Sequence, residues 1–218
     1  MNRREYYDEL KTLARNTRMQ FGIFTPRILI SDLRRIYKHY QIEIDLWPRR
    51  GVPPTVKLKS LRGAFFCDEY GTSVLINRFL PDAPKIFTLG HELKHYLVDK
   101  DLSKIWCGND NKNEEIEIGA EIFSGELLFP DDDFKEALTE MGIQKGCCSP
   151  EVLVRLKRET QATLSYSGLV KKAEFLGFAS RGALVGVRWR KLEEAMYGVP
   201  GDVRSPLLQT AFIPPNVH

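Results

Sequence analysis

The sequence predicts an α+β fold: a small mixed sheet packed with a histidine-bearing helix, followed by a helical unit of helix-turn-helix proportions. Three observations predict it. Two stretches, IEIDLW at 42–47 and GAFFCDEYGTSVLIN at 63–77, carry strand-like apolar patterns bounded by turn residues. Two helical runs follow, one holding TLGHELKHYL (88–97) and one reading EIEIGAEIFSGELL (115–128). After Pro130 the strand patterns stop, and short helical runs take over.

The chain has 218 residues, 43% hydrophobic and 28% charged, which is ordinary for a soluble globular protein. The expected division is 1–130 for the sheet-containing domain, 131–198 for the helical unit and 199–218 for a proline-rich tail. No stretch approaches the roughly eighteen apolar residues of a membrane span, and the start, MNRREYYDEL, has no apolar core of a secretory signal. Cys67, Cys107, Cys147 and Cys148 form no C-x-x-C pair, so free thiols in a reducing cytoplasm are expected. The net charge of +3 hides a pattern. Residues 1–60 carry 13 Lys/Arg against 6 Asp/Glu, residues 61–143 carry 8 against 17, and residues 144–191 carry 10 against 3. An acidic middle suits a cation site, and a basic segment suits a polyanion or an acidic partner.

In chain order, residues 2–19 place Tyr6, Leu10, Leu13 and Met19 at helical spacing. A second helix is expected to start at Thr25 as cap with Pro26 at its first position, and to use Ile28, Leu29, Leu33, Ile36 and Tyr37 as its apolar face. A strand at 42–47 ends at the breaker PRRGVPP. Ala64–Cys67 should pair with Ser73–Asn77 around Gly71. Pro81 and Pro84 close a loop, and the histidine helix should begin near Lys85. A polar loop, CGNDNKNEE, leads to a helix from Glu114 to Leu128 that Pro130 stops. Helical runs follow at 134–141, after Ser149-Pro150, and from Ser165 to Gly177.

At helical pitch His91 and His95 project from one face, so both imidazoles can reach one metal ion. Glu92, on the adjacent side, can hold a water at that ion without being a ligand, which is the geometric content of H-E-x-x-H. A third protein ligand is then needed, with a fourth position left for water. Glu117 and Glu121 share a face of the following helix. One can bind the metal while the other accepts a hydrogen bond from a ligand histidine and fixes its tautomer. Glu114, Glu115 and Glu126 read as surface. Lys94 stands where an uncharged residue is usual, and helical geometry sends it to one side of the histidine face.

These residues resemble the ImmA/IrrE-type metallopeptidases. The family reads roughly F-T-x-x-H-E-x-x-H and then E-x-x-A-N-x-F-A-x-x-L-L-M-P; here stand FTLGHELKH (87–95) and EIGAEIFSGELLFP (117–130). The likeness covers about 25–130, and 131–180 more weakly. Glu117 falls on the family's metal-ligand glutamate; Glu121, Ser124 and Phe129 replace its asparagine, alanine and methionine. The resemblance implies a zincin-like domain and a Zn²⁺-dependent endopeptidase. His91, His95 and Glu117 would be ligands, Glu92 the general base, and Glu121 the residue orienting a histidine. It also implies cleavage of a specific protein, often a helix-turn-helix transcriptional repressor. In zincins the strand before the metal helix is a sheet edge on which the substrate pairs, and that strand here includes Thr72, Ser73, Val74, Leu75 and Ile76.

The segment SPEVLVRLKRETQATLSYSGLVKKAEFLGF has helix-turn-helix proportions, and Arg155, Lys157, Arg158, Lys171 and Lys172 could contact phosphates. Its second helix opens SYSG, with no Arg, Asn or Gln early enough to read bases, so a protein-docking or packing role is the stronger reading and DNA binding the weaker. A competing view of the whole chain is a regulator that binds a repressor or DNA without cutting, its zinc purely structural. The intact Glu92 argues against it, because a structural site has no use for a base.

Overall fold

The computed structural model describes residues 2–48, 62–100 and 114–198, and 104–107 by backbone alone. The PRRGVPP breaker beyond Pro48, most of the CGNDNKNEE loop, the Cys107 thiol and the tail fall outside these. Helix α1 (Arg3–Gln20) opens on a capping box in which Asn2 and Glu5 each accept the other's backbone N–H at 2.9 Å. Helix α2 (Ile30–His39) begins later than the Thr25-Pro26 signal implied. The reason is tertiary. Thr163 donates its backbone N–H to the Pro26 carbonyl, accepts from the Ile28 N–H, and returns its hydroxyl to the Ile28 carbonyl at 2.7 Å. Residues 26–28 are thereby held outside the helix, and Asp32 accepts the Leu29 N–H instead.

The sheet combines β1 (Ile42–Trp47), β2 (Gly63–Asp68), β3 (Gly71–Asn77) and β4 (Lys104–Cys107) in the order β1-β3-β2-β4. The β2–β3 hairpin forms as expected, but Ala64–Cys67 stand opposite Thr72–Leu75, with Phe65 facing Val74, rather than opposite Ser73–Asn77. Gly71 takes φ +134°, open to glycine and strained for other residues. β1 runs parallel to β3, and β4 antiparallel to β2. Here the sequence reading is corrected. Thr72, Ser73, Val74, Leu75 and Ile76 lie in the sheet interior, laddered to β1 on one side and β2 on the other. Their backbone groups have no free edge for a substrate strand; the sheet's edges are β1 and β4. The parallel return onto β1 is non-local and left no trace in the hairpin's own residues.

Helix α3 (Asp82–Asp99) carries the histidines. It starts before Lys85 because Pro84 is tolerated in a first turn, where its missing N–H would have had no partner. Helix α4 (Glu114–Leu128) packs along α3 at a point of close approach: a Cβ on Gly90 would stand 2.6 Å from Ser124 Oγ. That hydroxyl donates to the Phe87 carbonyl at 2.8 Å. The spacing of the two helices is therefore set by a glycine and a serine. Helices α5 (Asp131–Glu140), α6 (Pro150–Thr160) and α7 (Tyr166–Phe175) follow, with Ser149 and Ser165 as the caps of α6 and α7 and Gly177 in the left-handed region. A last helix, α8 (Trp189–Tyr197), was not foreseen; it has no buried residue, and Trp189 stacks on Tyr166 with ring centres 4.7 Å apart.

The fold is thus α+β, as the patterns predicted. One apolar core joins Leu10, Leu93 and Phe123 to Phe134, Leu156 and Leu169, so packing is continuous across Pro130. No described helix is long and apolar enough to cross a membrane.

Candidate metal centre

His91 and His95 lie one turn apart on the buried face of α3 and meet the first turn of α4. His91 Nε2 is 3.3 Å from one carboxylate oxygen of Glu117, and His95 Nε2 is 3.5 Å from the other. One nitrogen from each imidazole and one Glu117 oxygen all fall within 4.8 Å of one another. Burial opposes ionisation of Glu117, but the two imidazoles beside it outweigh that and hold its pKa at about 2. Glu92 sits beside the histidines and is fully buried. Its carboxylate nestles against β2 at Gly63, where a Cβ would come within 2.6 Å of both Glu92 Oε1 and Thr88 Cγ2. A strand glycine therefore makes room for the buried acid, and no local sequence signal marks it.

Two imidazoles and a carboxylate converging from two helices suit a divalent transition ion. Charge agrees. With neutral imidazoles, as ligands must be, the formal charges here are three carboxylates (Glu92, Asp99, Glu117) against one ammonium (Lys94), two net negative charges on largely buried groups.

Residues 55–162 match the family model described as Peptidase_M78, IrrE N-terminal-like domain. The chain belongs to the ImmA/IrrE family. No curated protein matches it. The family match runs beyond Pro130 through α5 and α6. Membership makes a metal-dependent peptidase acting on protein the coarse functional class.

Within this ImmA/IrrE site, Glu121 does not have the place expected of it. Its side chain is half exposed and pairs with Lys171 at 2.9 Å. The carboxylate that orients a histidine is Asp99, whose Oδ2 lies 2.8 Å from His95 Nδ1 and directs Nε2 toward Glu117. Asp99 was legible: it follows His95 by four residues on the same helix face. Lys94 was expected beside the site, yet it is fully buried and bonded to the same Asp99 oxygen at 2.6 Å. Glu126, read as surface, is also buried, and it binds Arg15, Lys172 and the Asp131 N–H.

The five basic residues considered for phosphate contact have partners within the fold. Arg155 pairs with Glu159, and Lys157 donates to the carbonyls of Ala162 and Leu164. Arg158 lies over the Tyr197 ring, Lys171 pairs with Glu121, and Lys172 with Asp131 and Glu126. All five groups once available for phosphates have partners inside the protein.

Proposed function

We propose that the chain is a cytoplasmic Zn²⁺-dependent endopeptidase that cleaves one specific protein, a helix-turn-helix transcriptional repressor, and so relieves repression. The observation that carries the peptidase reading is the convergence of His91, His95 and Glu117 with the buried Glu92 beside them. His91 and His95 would offer their Nε2 atoms and Glu117 an oxygen as ligands. When bound, zinc would acidify the attacking water and polarise the scissile carbonyl. Glu92 would take the proton of that water and pass it to the leaving amine. It is fully buried, and the missing side chain of Gly63 leaves room for its carboxylate. The substrate being a repressor follows from the family resemblance. The internal engagement of Lys157, Arg158 and Lys172 favours a protein partner over DNA.

The test is Glu92→Gln, which keeps size and shape and spares all three ligands. Zinc content and thermal stability should remain at wild-type levels, while cleavage of the cognate repressor falls roughly 10²–10⁴-fold. A reporter under the repressor, run beside a blot for intact repressor, reads the outcome. Induction by the variant with the repressor still full length would mean a regulator that binds without cutting.

A further inference from the structure

A fully buried lysine is rare and costly unless its ammonium is paired. Lys94 is such a residue, next to a ligand histidine in sequence. Its Nζ bonds Asp99 Oδ2 at 2.6 Å, the oxygen that also faces His95 Nδ1. It also donates to the Ile116 carbonyl at 3.2 Å, one residue before Glu117 in the first turn of α4. On its third side the ammonium stands 5.8 Å from the centre of the Tyr6 ring on α1.

From this geometry we infer that Lys94 is a positioning residue which couples the two helices that present the ligands. One of its bonds balances the charge of Asp99 and so keeps the acceptor that holds His95 in the Nδ1–H tautomer, with the Nε2 lone pair free for an ion. The other pins the backbone beside Glu117. One ammonium thus sets the orientation of a ligand on α3 and the placement of a ligand on α4. The inference rests on the reading of His91, His95 and Glu117 as ligands. It differs from simple packing in one respect: it requires metal affinity and coordination geometry, and not merely stability, to depend on Lys94.

The experiment uses the full chain, with zinc affinity from chelator competition and the visible spectrum of the Co²⁺-substituted protein as readouts. Lys94→Met keeps the length and apolar stem and removes the charge. It should weaken zinc 10–100-fold, the range typical of groups that orient ligands, and should alter the Co²⁺ bands. Where that variant does not fold, Lys94→Met with Asp99→Asn removes both charges together, avoids an unpaired buried carboxylate, and carries the decision. Zinc binding clearly weaker in the double variant than in Asp99→Asn alone supports the inference, and equal binding in those two variants overturns it. Wild-type affinity with unchanged Co²⁺ bands in a folded variant overturns it, provided His91→Ala loses zinc. Retention of zinc by His91→Ala would instead sink the ligand reading and this inference with it.

Discussion

Glu117 and Glu126 stand near opposite ends of α4, and both meet polar partners on neighbouring helices. Glu126 is fully answered by protein: Arg15 from α1, Lys172 from α7 and the Asp131 N–H at the start of α5. Asp131 adds Lys11. Three cations face two carboxylates there, and the cluster ties the C-terminal helices to α1 and α4. Glu117 faces two imidazoles, groups that can turn lone pairs toward an ion once neutral. A carboxylate surrounded by ammonium and guanidinium groups is structural; one surrounded by imidazoles is a ligand set. The same helix thus serves as a brace at one end and as half of the proposed metal centre at the other.

The sharpest way to break this contrast is to remove one member at each end. His95→Ala should abolish stoichiometric zinc binding, because it takes one of three protein ligands. Glu126→Ala should leave zinc content unchanged and lower stability by about 3 kcal/mol, since it strips a buried carboxylate from the buried Lys172 and the partly exposed Arg15. Elemental analysis and denaturant unfolding of both variants check the pair. Zinc loss in Glu126→Ala at a temperature where it remains folded would show that the two ends are one system.

Much of this was readable in advance, and the boundary of what was readable is physical. His91, His95 and Glu117 were found because helical pitch converts spacing into proximity within each helix, and the family pattern joined the two helices. Ser149 and Ser165 as caps, the β2–β3 hairpin and the stop at Pro130 are local chemistry, and sequence carries local chemistry well. Most of the failures are long-range. Thr163 moved the start of α2, β1 covered the strand assigned to substrate, and Lys172 drew Glu126 into the interior. Asp99, one turn after His95, carries a local signal that the reading of Glu121 passed over. Glu121 faces Lys171 on a distant helix, which no spacing rule could show.

The brace should also show itself in acid. Burial pushes Asp131 up, but Lys172 and Lys11 outweigh it and hold its pKa at about 2, below the ordinary 3.8. A depressed carboxylate contributes stability that is present above its unfolded pKa and lost as pH falls through the folded one. The wild type should therefore lose about 2 kcal/mol from this group between pH 4 and pH 2. Asp131→Asn should be less stable at pH 7 and flatter across that window. Equal slopes for the two proteins in unfolding curves taken at each pH would remove Asp131 from the account of the brace.

The smallest expected effect is the most direct check on which carboxylate orients the histidine. Had Glu121 held a ligand imidazole, Glu121→Ala would weaken zinc 10–100-fold. Its observed partner is Lys171, and both side chains are more than half exposed to solvent. An exposed pair of this kind contributes between zero and about 1 kcal/mol, and salt screens most of it. Glu121→Ala should therefore bind zinc within about twofold of wild type, and its stability should shift by less than about 1 kcal/mol, less still at high salt. Asp99→Asn, measured in the same zinc titration, should show the loss that Glu121→Ala lacks, since it weakens the acceptor facing His95 Nδ1 at 2.8 Å and leaves the Lys94 ammonium unbalanced. If the ranking came out reversed, the helix face bearing Glu121 would have to turn toward the histidines when metal binds, and α7, which holds Glu121 through Lys171, would have to move with it.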